Sequence, residues 1–269
     1  MSEPIPTVRR VELEPPSRWR TFRSVNTNRA RIVMDRLLHR PPRSRRLEPD
    51  FRAGARRALG LSESTFEALW DEAANSGLES RISAQLRERF PQGPPVQLIA
   101  APEGDWLQIL RFLYVLVRAT KPEQAVETGV GPVGASTTFI LGAMHANQQG
   151  HLWSIDAGYY ISVHGVEPGS GIPEDLRDRH TLLIAEARSQ LPRLAAQCAP
   201  LGLFLHDSEH TYANMTFEFS VAWTRLAPSG FLLADDAHND SPDRFANRVG
   251  VTPTFLQYGG SPFGVLRKP

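Results

Sequence analysis

The stretch Glu127-Thr-Gly-Val-Gly-Pro-Val-Gly134 decides the fold of this chain, because it stands between a predicted strand and a predicted helix. The strand is Gln124–Thr128 and the helix is Ala135–Asn147. Glycines at this spacing permit a tight turn and let the backbone approach a ligand closely, although ordinary glycine-rich turns share the pattern. The next predicted strand, residues 151–155, leads into Asp156. A carboxylate at that point can accept hydrogen bonds from both ribose hydroxyls, so the context favours a nucleoside-containing cofactor.

Outward from this turn, predicted strands and helices alternate along the chain. Further strands are expected at residues 181–185, 201–206 and 231–234, with a closing hairpin at 254–257 and 264–266. Further helices are expected at residues 105–120, 174–178, 189–197 and 212–226. Such alternation is typical of a doubly wound, mostly parallel α/β sheet, whose carboxyl strand ends share one ligand-binding edge. Residues 157–173 are rich in Gly and Pro and long for a connection, which predicts a lid or binding loop.

The first hundred residues differ from the rest in charge. Residues 1–57 contain fifteen Arg, no Lys and six acidic residues, a net charge of +9, whereas the remaining chain carries −8. Two interpretations stay open: an arginine-rich codon bias, or a basic arm that docks on the acidic body, a partner subunit or an anionic ligand. An amphipathic helix is predicted at residues 26–39, and further helices over 51–90. We therefore divide the chain into an N-terminal arm with a helical extension, 1–100, and a cofactor-binding domain, 101–269.

Composition narrows the class of protein and its location. Hydrophobic residues make up 41% of the 269 residues and charged residues 22%, which suits a globular protein with a real core. No apolar run reaches the ~20 residues needed to span a bilayer, and no apolar signal segment stands at the amino terminus. The single cysteine, Cys198, can form neither an internal disulfide nor a thiolate metal cage. We expect a cytoplasmic protein without a membrane partner, and the amphipathic arm favours a homodimer.

Glu127 distinguishes between the possible cofactors. Its carboxylate stands immediately before the glycines, where it would repel a pyrophosphate but would suit the ammonium of an amino-acid moiety. S-adenosylmethionine carries such an ammonium, together with a sulfonium cation and a ribose. The charge at this position therefore favours S-adenosylmethionine over a dinucleotide.

Two polar clusters follow the fourth and fifth predicted strands. They are His206-Asp-Ser-Glu-His-Thr-Tyr212 and Asp235-Asp-Ala-His-Asn-Asp240, and both are expected at the ligand-binding edge. A plainer interpretation is a set of solvated loop residues and helix caps. The carboxylates of Asp207, Asp235 and Asp236 offer hard oxygen ligands for Mg²⁺ or a similar divalent cation. Histidine nearby also leaves Mn²⁺ or Fe²⁺ open.

These motifs together resemble the class I S-adenosylmethionine-dependent methyltransferases. The resemblance rests on Arg118-Ala-Thr-Lys-Pro-Glu-Gln-Ala-Val-Glu-Thr-Gly-Val-Gly131 and on Leu152-Trp-Ser-Ile-Asp156. Residues 203–212 and 226–236 are similar to the small-molecule branch of that superfamily. The resemblance covers residues 105–269 and implies a Rossmann-like, seven-stranded sheet that ends in an antiparallel hairpin.

The same resemblance implies a set of cofactor-binding residues. The set consists of Glu127, Thr128, Gly129, Gly131, Gly134, Ser136, Asp156, Glu186, Ala187 and Asp207. Within it, Glu127 and the glycines would hold the methionine part of the cofactor, and Asp156 would hold the ribose. Glu186 and Ala187 would contact the edge of the adenine.

The small-molecule branch also resembles the metal-dependent catechol-type O-methyltransferases at specific positions. Their metal-binding Asp after the fourth strand is matched by Asp207, and their second ligand, after the fifth strand, by Asp235. Their third ligand is usually Asn, whereas this sequence has Asp236. Their general-base lysine is replaced by His210, three residues after Asp207. Histidine can accept a proton at neutral pH because its unperturbed pKa lies near 6.5.

The function expected from the sequence is methylation of a small molecule, at a hydroxyl, in specialised metabolism. His210 is the expected base, and Asp207 either orients it or binds a metal that lowers the pKa of the hydroxyl. His238 and His206 are second choices for the base. Three further side chains either line the acceptor pocket or simply lie at the surface: Tyr159, Tyr160 and His164.

Two other classes of protein remain as alternatives. A nicotinamide-dependent oxidoreductase could use the same glycine motif, but the sequence has no Tyr-x-x-x-Lys pair and only two lysines. An RNA-binding or RNA-modifying protein could use the Arg-rich arm. Few aromatic residues interleave with those arginines, namely Trp19, Phe22 and Phe51, so the sequence does not favour a nucleic-acid partner.

Overall fold

One seven-stranded sheet organises the computed structural model, which describes residues 33–95 and 102–269. The strands are β1 Gln124–Thr128, β2 His151–Asp156, β3 His180–Ile184, β4 Leu201–His206, β5 Leu226–Ala234, β6 Thr254–Tyr258 and β7 Ser261–Arg267. Their order across the sheet is β3-β2-β1-β4-β5-β7-β6. The first five strands are parallel, and β7 runs antiparallel to both β5 and β6. The predicted fold class and the predicted closing hairpin are confirmed.

The helices of the described residues flank this sheet or precede it. They are α1 Phe51–Leu59, α2 Glu63–Ala74, α3 Leu78–Arg89, α4 Trp106–Thr120, α5 Ala135–Asn147, α6 Tyr159–His164, α7 Ala187–Gln197, α8 Tyr212–Arg225 and α9 Ser241–Val249, with a 3₁₀ helix at Glu174–Arg179. Polar side chains cap the first turn of several of these helices. The side chain of Ser62 accepts the Thr65 amide at the start of α2, and Thr211 accepts the Asn214 amide at the start of α8.

The sheet is buried on both faces, which explains why its central strands are almost continuously apolar. A hydrophobic cluster on one face joins α4 and α5 to the sheet through Phe112 and Phe139. The cluster on the other face joins α7, α8 and α9 through Leu191, Phe219 and Phe245. Since both faces are covered, the carboxyl edge of the parallel strands is the exposed part of the sheet where a site can form.

The helical extension shares the first of these cores. Phe51, Phe66 and Ile82 are buried in it, and the Phe51 ring meets Phe112 of α4 edge-on at 6.4 Å. The division of the chain at residue 100 stays a prediction, and residues 1–32, which include most of the predicted arm, lie outside the described residues. Of the amphipathic helix predicted at residues 26–39, residues 33–39 are described, and 33–38 are helical.

Two elements differ from the sequence-based expectation. Residues 157–173, predicted to form a lid or binding loop, contain α6, and the amides of residues 169–171 donate to the carbonyls of residues 131–133 at 2.9–3.0 Å. The role of residues 157–173 as a lid or binding loop stays a prediction. Two apolar residues among the glycines, Val166 and Ile172, are buried and fix this half of the loop in the fold. Helix α9 was not predicted because its sequence is polar, although Pro242 in its first turn is favourable at that position.

Within the described ranges, the helices are all too short or too polar to cross a lipid bilayer.

Candidate active site

Two glycines of the turn after β1 have different tasks. A Cβ on Gly129, whose φ is 84°, would lie 1.9 Å from the carbonyl oxygen of Asp207. Only glycine allows the ends of β1 and β4 to pack this closely. A Cβ on Gly131 would meet nothing within 4 Å, although its φ is also positive. Gly129 therefore serves the fold, whereas Gly131 leaves open space above the turn.

Glu127 is buried beneath this turn. Its carboxylate accepts hydrogen bonds from the hydroxyls of Ser136 (2.7 Å), Thr137 (2.8 Å) and Ser154 (2.9 Å). Burial raises the pKa of Glu127 to about 7, against the opposing effect of these three donors. The side chain of Glu127 is shielded from solvent, and Ser136 is the partly exposed member of the three donors. Direct contact of Glu127 with a cofactor ammonium stays a prediction.

Asp156 lies where the ribose carboxylate was predicted, at the end of β2 beside the glycine turn. Its Oδ2 accepts the amides of Val130 (2.9 Å) and Gly131 (3.0 Å), and its Oδ1 accepts the amide of Gly158 at 2.7 Å. The side chain is partly exposed, so it remains accessible from the open side of the turn. Exposed Glu186 follows the adjacent strand β3, just before α7.

Two other residues that were predicted to bind the cofactor make contacts inside the fold. Thr128 is buried, and its hydroxyl donates to Glu218 at 2.6 Å. Gly134 precedes α5 with a φ of 70°, and a Cβ there would collide with Gly169 and Ile172. Thr128 therefore supports the turn through a hydrogen bond, and Gly134 supports it through close packing.

The loops after β4 and β5 bring three predicted residues together. Nε2 of His210 lies 3.7 Å from Oδ1 of Asp207 and 4.0 Å from Oδ2 of Asp235. One ligand atom from each residue lies within 4.8 Å of the others. Nε2 of His210 is buried and has no hydrogen-bond partner within residues 33–95 and 102–269. The cluster Asp207–His210–Asp235 thus combines two carboxylates with an unsatisfied imidazole nitrogen, a donor set that fits a divalent cation.

Burial and mutual repulsion govern the protonation of this cluster. Desolvation, followed by the charge of Asp235, raises the pKa of Asp207, although 35% of its side chain is exposed. Burial raises the pKa of Asp235 to about 6, while a hydrogen bond from Tyr258 acts in the opposite direction. Burial and the neighbouring His206 lower the pKa of His210 to about 3. His210 is therefore neutral at physiological pH, with a lone pair available.

Asp236 is not a member of this cluster. It adopts a φ of 45°, and its carboxylate lies 3.5 Å from Nε2 of His238 and 3.9 Å from the guanidinium of Arg36. The group of described residues that could hold a metal ion contains His210 beside Asp207 and Asp235, and Asp236 is not in it. His238 is 30% exposed beside Asp236, and its pKa is lowered chiefly by burial.

His206 belongs to a buried network that the sequence did not reveal. Its Nδ1 lies 2.6 Å from Oε2 of Glu218, and both side chains have no solvent exposure. Glu218 also accepts hydrogen bonds from Ser208 (2.8 Å) and Asn214 (3.0 Å). Burial favours the neutral acid, but His206 and the hydroxyls of Thr128 and Ser208 lower the pKa of Glu218 overall. The available signal was the i,i+4 spacing of Asn214 and Glu218, which puts both on one helix face.

Tyr258 is the second functional candidate that sequence reasoning missed. It lies on β6, and its hydroxyl donates to Oδ1 of Asp235. Burial, followed by the charge of Asp235, raises the pKa of this phenol, so it remains a donor. By contrast, Tyr159 and Tyr160 on α6 are half-buried, and His164 is exposed. Their role in an acceptor pocket stays a prediction.

One family model matches the central region of the sequence. Residues 126–237 match a family model described as a methyltransferase domain. The matched region contains the glycine turn, Asp156 and both polar loops up to Ala237. No protein of curated function matches the sequence.

Solved structures with a similar course of the chain include three methyltransferases. An O-methyltransferase from Bacillus cereus in complex with SAH is 15% identical, with 81% of this chain and 96% of that chain covered and a TM-score of 0.49. The O-methyltransferase TomG from Streptomyces achromogenes, involved in tomaymycin synthesis and solved with SAM, is 19% identical, with 70% and 90% covered and a TM-score of 0.47. The SAH-bound methyltransferase PaMTH1 from Podospora anserina is 14% identical, with 78% and 97% covered and a TM-score of 0.49.

Proposed function

We propose that this chain, whose residues 126–237 match a family model described as a methyltransferase domain, is a class I S-adenosylmethionine-dependent methyltransferase that methylates a hydroxyl oxygen of a small molecule. The observation that carries this proposal is the Asp207–His210–Asp235 cluster. It lies at the ends of β4 and β5, beside the cofactor half of the site at the ends of β1 and β2. A proton acceptor next to a methyl donor is what O-methylation requires.

The cofactor half fits S-adenosylmethionine on two observations. Gly131 leaves open space above the turn, and the partly exposed carboxylate of Asp156 lies beside it. When bound, the cofactor supplies an electrophilic methyl group on a sulfonium centre. In this proposal Asp156 holds the ribose, and Glu186 with Ala187 lies along the adenine edge. The buried hydroxyl network around Glu127 keeps the turn in shape.

The acceptor half supplies the base. We assign the proton of the acceptor hydroxyl to Nε2 of His210, the buried nitrogen that has no hydrogen-bond partner among the described residues. Oδ1 of Asp207 and Oδ2 of Asp235 lie within 4.0 Å of this nitrogen. Because burial and His206 lower the pKa of His210, this histidine would accept the proton only with an ionised Asp207 or Asp235 beside it to stabilise the imidazolium that forms. Tyr258 fixes the orientation of Asp235 by donating to its other oxygen.

The same three side chains would hold a divalent cation, and such a cation would lower the pKa of the acceptor hydroxyl. Nε2 of His210 has a single lone pair in the neutral ring, so it serves either as the base or as a metal ligand. The specific observation favouring a cation is the closeness of the three donor atoms, within 4.8 Å. Turnover in EDTA, followed by addition of Mg²⁺ or Mn²⁺, decides between the two roles.

The testing experiment starts with a radiolabelled cofactor and a panel of small hydroxylated acceptors. Transfer of label by the wild-type protein, and its loss in His210→Ala, would support the proposal. His145→Ala is the matched control, because His145 is exposed at the end of α5. Labelling of amines with no labelling of hydroxyls would contradict O-methylation. A role in specialised metabolism, a cytoplasmic location and a homodimer remain predictions from the sequence.

A further inference from the structure

The loops that carry the acceptor half of the site are tied together by a segment from far outside the methyltransferase domain. We propose that Asp35 and Arg45 are positioning residues that hold the loop after β4 and the loop after β5 in register. We call residues 35–45, which connect these two side chains, the N-terminal strap. The inference deepens the proposed function, because the two loops carry Asp207, His210 and Asp235.

One carboxylate oxygen of Asp35 contacts both loops. Its Oδ2 accepts the amide of Tyr212 at 2.8 Å and the side-chain amide of Asn239 at 3.3 Å. The same amide nitrogen of Asn239 donates to the carbonyl of His210 at 3.2 Å, and Asn239 is only 1% exposed. Asp35 and Asn239 thus form a polar bridge that ends on the backbone of the proposed base.

Arg45 holds the second loop from the other end of the strap. Its guanidinium donates to the carbonyls of Ala237 and Asn239 and to the carboxylate of Asp243. The side chain is 5% exposed and lies 4.2 Å from the centre of the Phe255 ring. A guanidinium satisfies several acceptors at once because its donors form a rigid planar fork. These bonds fix the backbone immediately after the acidic pair at the end of β5.

The middle of the strap contacts the same two loops. The ring of His39 stacks on Tyr212 with centroids 4.0 Å apart, and its carbonyl accepts the amide of Asp240 at 2.9 Å. The guanidinium of Arg36 lies 3.9 Å from the carboxylate of Asp236. Each contact joins the strap to a residue within five positions of the Asp207–His210–Asp235 cluster.

Hydrophobic burial does not explain this attachment. The apolar side chains of the helical turn point outward and are 52–71% exposed: Val33, Met34, Leu37 and Leu38. The side chains of the strap that face the body are polar or charged, and they meet the catalytic loops. Polar contacts of this kind add geometric specificity more than bulk stability, which is the property expected of a positioning device.

The test compares Asp35→Ala and Arg45→Lys with the wild-type chain. Lysine keeps the charge of Arg45 but lacks the fork, so it cannot bond both carbonyls and Asp243 together. Arg57→Ala is the control, because Arg57 is an exposed arginine on α1 that pairs with Glu48. Hydrogen–deuterium exchange is measured on peptides covering 207–212 and 235–240. Calorimetry gives the affinity for SAH. The values of kcat and KM are measured with an acceptor identified in the labelling experiment.

We expect both variants to speed exchange in the two loops, and to lower kcat about 10–100-fold, as loss of a supporting partner typically does. The affinity for SAH and the KM for S-adenosylmethionine should stay within about threefold, because the glycine turn lies outside the strap contacts. Unchanged exchange in the two loops, or an increase spread evenly over all peptides, would overturn the proposal. If the wild-type protein bound no SAH, the proposed function would fail, while loop exchange would still test the strap.

Discussion

Nε2 of His210 lies 3.7 Å from Oδ1 of Asp207, and the two residues belong to the same short loop after β4. The loop turns so that both side chains face Asp235 at the end of the neighbouring strand. This places an unsatisfied imidazole nitrogen between two carboxylates at the ligand-binding edge.

Replacing His210 by Ala should lower turnover about 10²–10⁴-fold, because the acceptor would lose its base. Affinity for SAH should be nearly unchanged, because His210 lies at the end of β4 rather than at the glycine turn. Steady-state kinetics and calorimetry measure the two quantities on the same preparation. Full turnover in His210→Ala would remove the assignment and direct attention to His238, the partly exposed histidine beside Asp236.

Replacing Asp156 by Ala should weaken SAH binding by about 1.5–3 kcal/mol, because charge-assisted hydrogen bonds to the ribose would be lost. Wild-type protein should bind SAM or SAH and show no measurable affinity for NAD(H). Titration calorimetry with all three ligands checks both statements. Asp178→Ala, at an exposed position in the 3₁₀ helix, is the control. Binding of NAD(H) without binding of SAH would contradict the cofactor assignment.

Glu127 should make stability depend on pH. Its pKa is raised from 4.5 to about 7, so between these values the folded protein keeps a proton that the unfolded chain releases. The free energy of unfolding should therefore fall as pH rises from about 4.5 to 7 and should lose this dependence above that range. The contribution of Glu127 to this decrease is on the order of 3 kcal/mol, and Glu127→Gln should remove that contribution while the dependence due to Asp207 and Asp235 remains.

Urea denaturation of both proteins between pH 4.5 and 8 measures this difference. Glu123→Gln, at an exposed position just before β1, is the matched control. A constant gap between wild type and Glu127→Gln across the whole pH range would show that Glu127 is not responsible.

Gly129→Ala should destabilise the fold far more than Gly131→Ala. The methyl group at position 129 would enter the carbonyl of Asp207, whereas the one at 131 would meet open space. Both variants share the strain of a positive φ, about 1–2 kcal/mol for a residue with a Cβ. We expect that cost alone at position 131, and about 3 kcal/mol or more at 129. Equal unfolding midpoints for the two variants would disprove the packing argument.

Periodicity and spacing within the chain were sufficient to predict the sheet and the cofactor turn. Strands such as Leu201–His206 are nearly continuous apolar runs, because strands covered on both faces select such residues locally. The glycine turn and Asp156 follow from the same rule, since parallel strand ends meet at one edge. The confirmed fold and the placement of Asp207, His210 and Asp235 at neighbouring strand ends depend on this short-range information.

Contacts between distant residues required the three-dimensional structure. Tyr258 reaches Asp235 only because β7 inserts between β5 and β6, and Asp35 reaches Tyr212 across 177 positions of sequence. Asp236 lies outside the cluster that contains His210. Its backbone has a φ of 45°, and its carboxylate faces His238 and Arg36. Hydrophobic periodicity reports which face of an element is buried, but it carries no information about which polar side chains then meet. Those meetings depend on the packing of the whole chain.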